Sequence, residues 1–242
     1  MKYALISDVH GNLQALQAVL SDLRDTDIDE LLFLGDAVGY GANPNEVVDI
    51  VDSECKVCIV GNHDASALGL TSTYNFNIYA KASIHYTISV LVPKSIDLMS
   101  TYRMSHQFDG ILLTHATPSR PEAWKYCLTR RQAKSEFDHF DTQLCFTGHT
   151  HWPMIFSRGS QGNIGVEPPG DLLLKPDYKY LVNVGSVGQP RDGDHRAAYV
   201  IYDSDKKKLM YRRVAYDITS AQNAMAKAKL PRFLIDRLSS GR

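Results

Sequence analysis

Apolar runs in this chain end repeatedly on polar side chains of one chemical kind. Ala4-Leu5-Ile6 runs into Ser7-Asp8-Val9-His10, and Leu31-Leu32-Phe33-Leu34 into Gly35-Asp36. Val57-Cys58-Ile59-Val60 ends on Gly61-Asn62-His63-Asp64, and Ile111-Leu112-Leu113 on Thr114-His115. Leu144-Cys145-Phe146 ends on Thr147-Gly148-His149-Thr150-His151, and Tyr180-Leu181-Val182 on Asn183-Val184-Gly185-Ser186. Runs of this kind read as buried strands. The carboxyl ends of such strands are where layered α/β folds collect ligands. The pattern therefore predicts one rim shared by Asp8, His10, Asp36, Asn62, His115, His149 and His151.

Between the early strands the period changes. Leu13, Leu16, Val19, Leu20 and Leu23 line one face of a predicted helix. A second helix is expected through Glu46–Val51, opened by the Asn43-Pro44-Asn45 turn. This βαβαβ rhythm predicts a parallel sheet with right-handed crossovers, hence the α/β class. Residues 71–103 break it with a segment rich in Tyr, Asn and Ser, carrying Ala80, Ile84, Ile88 and Leu91 at helical spacing. Two helices parted at Pro93 are predicted there, placed to cap the rim. Strands follow near Met154–Ser157, Asn163–Val166, Tyr180–Asn183, Ala198–Tyr202 and Lys208–Val214. The tail from Ile218 to Leu238 reads as helix, broken at Pro231. With no repeat, linker or low-complexity segment, residues 1–242 are expected to form one domain with an inserted helical cap.

Composition narrows the function. A 242-residue chain with 44% hydrophobic and 22% charged residues suits one globular core. A net charge of -1 carries no footprint for long nucleic acid or an anionic membrane. No apolar stretch nears the roughly 18 residues that span a bilayer. Met1-Lys2-Tyr3 leads directly into a strand, leaving no room for a signal peptide, and four cysteines do not make a disulfide framework. The expected compartment is the cytoplasm; homo-oligomerisation stays open. Cys55-x-x-Cys58 resembles half a zinc site, but Cys127 and Cys145 stand alone, so Cys58 is read as strand packing.

The candidate residues suit metal chemistry. Asp8 and His10 are two apart, as are His149 and His151, so in an extended segment each pair faces one way and reaches one ion. The Asp36 carboxylate has two oxygens with which to bridge two ions, and Asn62 offers a neutral one. Mixed nitrogen and oxygen donors suit Mn, with Fe, Zn, Co or Ni as alternatives, better than Mg or Ca. Two such ions about 3.5–4 Å apart activate a water and clamp an in-line displacement at phosphorus. A hydroxide between them is expected to attack, so no covalent enzyme intermediate is needed. His63, pointing away from Asn62 in an extended backbone, is the candidate general acid for the leaving alkoxide.

Asp8-Val9-His10, Gly35-Asp36, Gly61-Asn62-His63-Asp64, His115 and Gly148-His149-Thr150-His151 together resemble the motif series of the calcineurin-like metallophosphoesterases. The resemblance covers nearly the whole chain. Asn183-Val184-Gly185-Ser186-Val187-Gly188-Gln189-Pro190-Arg191 is similar to a segment of their small bacterial and archaeal branch. It implies a four-layer αββα sandwich with metals on one edge. Asp8, His10, Asp36 and His151 would hold one ion; Asp36, Asn62, His115 and His149 would hold the other; His63 would be the catalytic histidine.

The chain departs from the phosphoprotein phosphatases of that superfamily. Their Asp-Arg-Gly tail on the second motif is here Gly39-Tyr40-Gly41. Gly39 replaces the acid that orients the histidine, and Tyr40 replaces a phosphate-gripping arginine. Phosphoprotein substrates are disfavoured, and Asp64 or Asp192 is the candidate partner for His63. Arg191 reads either as a substitute phosphate-binding arginine, its fork matching phosphate, or as a solvated loop residue. Tyr74, Asn75, Tyr79 and Tyr86 either stack on a substrate ring or pack the cap; Trp124 either lines the pocket or closes a loop. His85, His106, His139 and His195 are read as structural or surface histidines, and Lys206-Lys207-Lys208 as a hairpin turn.

The expected function is hydrolysis of a small soluble phosphate ester. Monoester and diester both remain open, and aromatic cap residues favour a nucleotide or dinucleoside polyphosphate. The rival is a non-catalytic, metal-binding interaction scaffold of the same fold, as in a retromer subunit that the chain resembles in outline. A nuclease is a third reading, against which the charge argues.

Overall fold

Strands buried on both faces sort their side chains between two apolar interfaces. In the computed structural model, which describes residues 1–242, β1 (Lys2–Ile6) sends Ala4 and Ile6 to one cluster and Tyr3 and Leu5 to another. β2 (Glu30–Phe33) repeats this: Leu31 and Phe33 join the first cluster, Leu32 the second. The first cluster lies under α1 (Leu13–Arg24) and α2 (Pro44–Glu54), which contribute Leu16, Val19, Val47 and Val51. The second joins two sheets, meeting Leu144, Phe146, Tyr180 and Val182 from the opposite one. A third cluster holds Cys145, Phe156 and Leu181 against Ala133 and Phe137 at α6 (Arg130–Glu136). Three apolar interfaces make four layers, helix–sheet–sheet–helix. Each fully buried Leu or Phe contributes about 1.5–3 kcal/mol, so these interfaces hold the sheets face to face.

Each sheet has six strands. In the first, β3 (Val57–Cys58), β2 and β1 run parallel, and antiparallel β11 (Ala197–Asp203), β12 (Lys208–Val214) and β9 (Leu172–Leu173) extend them. In the second, β5 (Ile111–Thr114), β6 (Leu144–Thr147) and β10 (Lys179–Asn183) form the parallel trio. Antiparallel β4 (Ser105–Phe108) flanks one side, β7 (Met154–Arg158) and β8 (Ile164–Glu167) the other. The expectation of a parallel sheet thus holds only for these trios. The β4–β5, β7–β8 and β11–β12 hairpins supply antiparallel strands around them. The β11–β12 turn is closed by Asp203, whose carboxylate accepts the Asp205 and Lys206 N–H groups.

The interrupting segment forms α4 (Ile78–Val90) and α5 (Pro93–Met99), parted at Pro93. The tail forms α7 (Ile218–Lys227) and α8 (Arg232–Asp236) around Pro231. Ala80, Ala221, Met225, Leu234, Ile235 and Leu238 pack into one cluster with Tyr40. The Tyr79 and Phe233 rings stack with centroids 4.5 Å apart. The interrupting segment and the tail therefore share one apolar cluster with Tyr40 beside the rim. No helix is long and apolar enough to cross a membrane.

Candidate metal centre

Both parallel trios end at one edge, and their loops are stitched together there. The Asp8 N–H donates to Gly35 O at 2.9 Å, His10 N–H to Asp36 O at 2.9 Å, and Gly148 N–H to His115 O at 2.9 Å. The backbone is not extended at these points. Asp8, His10, Asp36, His149 and His151 have φ of 53°, 51°, 61°, 68° and 59°. Left-handed backbone at residues other than glycine is sparsely populated and tends to cluster at functional sites. The strand-spacing expectation for Asp8 and His10 is thus corrected: β1 ends at Ile6, and a left-handed loop makes them meet.

Three overlapping side-chain groups result: Asp8, His10 and His151; Asp36, His115 and His149; and His10, Asp36 and His63. Asp8 Oδ1 lies 3.2 Å from His151 Nε2 and 3.6 Å from His10 Nε2. Asp36, His115 and His149 bring their ligand atoms together in the second group. The Asn62 amide oxygen lies 3.3 Å from His115 Nε2. Asp36 Oδ2 stands between the groups, 3.3 Å from His115 Nε2 and 3.6 Å from His10 Nε2. His149 and His151 fall in different groups, contrary to the expectation from their spacing, because both adopt left-handed backbone around Thr150.

Each of these four histidines is tied by one ring nitrogen to a backbone carbonyl. His10 Nδ1 pairs with Val38 O at 2.9 Å, and His115 Nδ1 with Leu34 O at 2.7 Å. His149 Nε2 pairs with Trp124 O at 2.8 Å, and His151 Nδ1 with Gln189 O at 2.6 Å. A carbonyl only accepts, so the tied nitrogen of a neutral ring carries the proton and the other keeps a lone pair. This is how metal-ligating histidines are fixed. In that tautomer the lone pairs of His10 Nε2 and His151 Nε2 face each other at 3.0 Å. Asp8 Oδ1, buried beside them, has no hydrogen-bond partner. Opposed lone pairs and a bare carboxylate oxygen fit a cation, so the donor set suits divalent metal.

Without a bound cation the buried carboxylates and histidines shift one another. Burial raises both carboxylates, but histidine charge outweighs it, chiefly His151 at Asp8 and His115 at Asp36, and both stay below the usual carboxylate range. Burial and then His115 lower His149 to about 4; burial and then Arg191 lower His151 to about 3. Burial also lowers His115, but Asp36 outweighs it and holds the ring at about 9.

His63 completes the third group. It lies in α3 (Asn62–Ala67), not in extended chain, with its backbone N–H on Asp36 Oδ1 at 2.8 Å. Its ring packs against Tyr40, Phe76 and His10 at centroid distances of 4.5, 4.8 and 4.8 Å. Nδ1 is buried with no partner. A Cβ at Gly39 would sit 2.3 Å from it. Neither expected acid is hydrogen-bonded to it. The Asp64 carboxylate accepts backbone N–H groups of Asp36, Val38 and Gly61, and Asp192 pairs with Arg213. Burial is the largest cause lowering the His63 pKa, and nearby His10, His151 and Arg191 add to it. Arg191 is no solvated loop residue: its guanidinium lies 5.6 Å from the Tyr40 ring centre and bonds Gln189 Oε1 at 3.0 Å.

A family model described as the calcineurin-like phosphoesterase superfamily domain matches residues 1–207. The chain belongs to this superfamily. An uncharacterized protein of Methanocaldococcus jannaschii is 40% identical over 243 residues, covering 99% of this chain and 98% of its own. The crystal structure of a metallophosphoesterase from Sphaerobacter thermophilus is 36% identical with a TM-score of 0.89, covering 100% of this chain and 99% of its own. A hypothetical protein from Pyrococcus horikoshii, 18% identical, shares the fold with a TM-score of 0.78 over 100% of this chain and 98% of its own.

In this calcineurin-like chain, several site neighbours carried no sequence signal for their place. Phe76 reaches His63 from a polar stretch, and the Tyr126 ring lies tilted with its centre 4.5 Å from that of His149, from a segment without apolar rhythm. Trp124 adopts φ 52°, its carbonyl holds His149, and its ring lies 6.0 Å from His115. Tyr79 and Tyr86 pack the cap, Tyr86 through its hydroxyl on Ala42 O at 2.9 Å, while Tyr74 is exposed. His85, His106, His139 and His195 lie outside the donor groups.

Proposed function

We propose that this chain is a metal-dependent phosphoesterase of small phosphate esters, acting as one domain with residues 71–103 as its cap. The observation that carries this reading is the set of four carbonyl-tied histidines around two buried carboxylates, with a fifth, His63, left untied beside them. Asp8, His10, Asp36 and His151 would hold one divalent ion and Asp36, Asn62, His115 and His149 a second, Asp36 being shared; Mn is the first choice. Bound there, the ions supply Lewis acidity toward the phosphoryl oxygens and lower the pKa of a water molecule.

The chain's own residues do the rest. Arg191 offers a planar fork to phosphate oxygens. His63 is held neutral by burial and neighbouring positive charge. A phosphate oxyanion beside it favours the charged ring against that burial, so the ring gains a proton with substrate present and gives it to the leaving alkoxide. Tyr40 and Phe76 fix the ring between them and narrow the approach, which favours small substrates over phosphoproteins. Four free thiols support a reducing, cytoplasmic setting.

The test is hydrolysis of p-nitrophenyl phosphate and bis-p-nitrophenyl phosphate by protein stripped of metal and then reloaded with Mn²⁺. Turnover that returns with the ion supports the reading, and the ratio of the two rates ranks monoester against diester. A fully loaded protein inert toward both esters would move the assignment to a binding scaffold.

A further inference from the structure

Three arginines engage side chains of the loop that follows β10, and two of them meet carboxylates. Arg196 pairs with Asp194 at 2.6 Å, and Arg213 pairs with Asp192. Arg191 instead donates from Nη2 to the amide oxygen of Gln189 at 3.0 Å. A guanidinium only donates, so Gln189 must turn its oxygen toward it. The other end of that amide is left bare: Gln189 is 2% exposed, and its Nε2 is buried with no partner. A buried donor without an acceptor is unfavourable, and a native fold that keeps one needs a reason for it.

The backbone of Gln189 belongs to the metal centre. Its carbonyl ties His151 Nδ1 at 2.6 Å. Its N–H donates to Ser186 Oγ at 2.8 Å, and the Ser186 hydroxyl donates to Asp8 O at 2.8 Å. The Arg191 N–H donates to His151 O at 3.2 Å. One residue therefore fixes a proposed metal ligand through its main chain and the Arg191 guanidinium through its side chain. The spacing between ion and guanidinium is set by that single anchor.

The choice of an amide has a consequence for charge. A carboxylate at this position would orient the fork and cancel its charge. A neutral oxygen orients the fork and leaves the full positive charge to an incoming anion. Arg191 is partly exposed and makes no other side-chain hydrogen bond, so donors stay open to that anion.

We infer that Gln189 is the positioning residue for Arg191, holding the guanidinium at the metal rim without neutralising it, so that affinity for a phosphoryl group depends on the side chain at this position. This rests on the phosphoesterase reading, in which Arg191 grips phosphate.

Isothermal titration of methylphosphonate into Mn²⁺-loaded proteins of equal metal content tests it. Gln189→Met keeps the length and loses the acceptor; it should weaken binding about two- to tenfold, the scale of one hydrogen bond. Gln189→Glu keeps the acceptor and adds a charge; it should weaken binding by about tenfold or more. In an Arg191→Gln background Gln189→Met should change nothing, because no guanidinium is left to orient. Wild-type affinity in either single variant overturns the inference. So does a Gln189→Met loss that persists without Arg191, which would mark a general structural role. Methylphosphonate carries no ester to hydrolyse, so the two readings fail separately. Ester hydrolysis with affinities indifferent to Gln189 sinks the positioning role alone. A Gln189-dependent affinity without hydrolysis of any ester sinks the phosphoesterase reading alone.

Discussion

The carboxylate of Asp64 holds the backbone of Asp36: Oδ2 accepts the Asp36 N–H at 2.9 Å. The same carboxylate takes the Val38 N–H at 3.1 Å and the Gly61 N–H at 3.0 Å. One buried side chain thus clamps the loop after β2 to the loop after β3, and with it the spacing of Asp36 from Asn62.

Asp64→Ala would leave three buried N–H groups without acceptors. Its expected cost is about 3 kcal/mol of stability. Asp64→Asn keeps one acceptor oxygen and should recover part of that. Urea denaturation of the three proteins measures it; equal midpoints for wild type and Asp64→Ala would contradict the clamp.

Gly39 is held to glycine by its φ of 85° and by the His63 ring, whose Nδ1 would lie 2.3 Å from any Cβ. Gly39→Ala should therefore displace that ring. The backbone cost is about 1 kcal/mol, too little to unfold the chain. The expected outcome is a large fall in kcat with near-native circular dichroism. Wild-type kcat in a folded Gly39→Ala variant would show that the ring's position does not matter.

How much of this was legible beforehand depended on range. All seven proposed ligands were readable because each closes an apolar run, a local signal. Their backbone was not: spacing suggested extended chain for Asp8–His10 and for His149–His151, whereas left-handed φ values set the real directions. Those values come from loop-to-loop hydrogen bonds such as Asp8 to Gly35, which no local period encodes. β4 went unread because it is an edge strand of alternating exposure whose outward residues are Ser105 and Gln107. α6 went unread because Arg130–Glu136 contains one apolar residue, Ala133. The meeting of the tail with Tyr40 is long-range packing that no local period encodes.

Asp194 links this loop to acid stability. Its carboxylate forms a two-pronged pair with Arg196, at 3.0 and 2.6 Å, which with help from Arg213 lowers its pKa to about 2. A depressed folded-state value stabilises above the ordinary aspartate pKa, and that stability is lost as pH falls toward about 2. The pair is partly exposed, so solvent screening keeps its contribution small. Asp194→Asn should lower stability near neutral pH, and the gap to wild type should shrink as pH drops below about 4. A gap that stays constant with pH would remove the ion pair from the account.

The most direct test of the central claim is steady-state hydrolysis of glycerol 2-phosphate, whose leaving alkoxide needs a proton, by Mn²⁺-loaded wild type and His63→Ala, with the metal content of both measured. A positioned general acid is worth about 10²–10⁴-fold. The account predicts a fall in kcat of that size at equal metal content. Equal rates at equal metal content would contradict it.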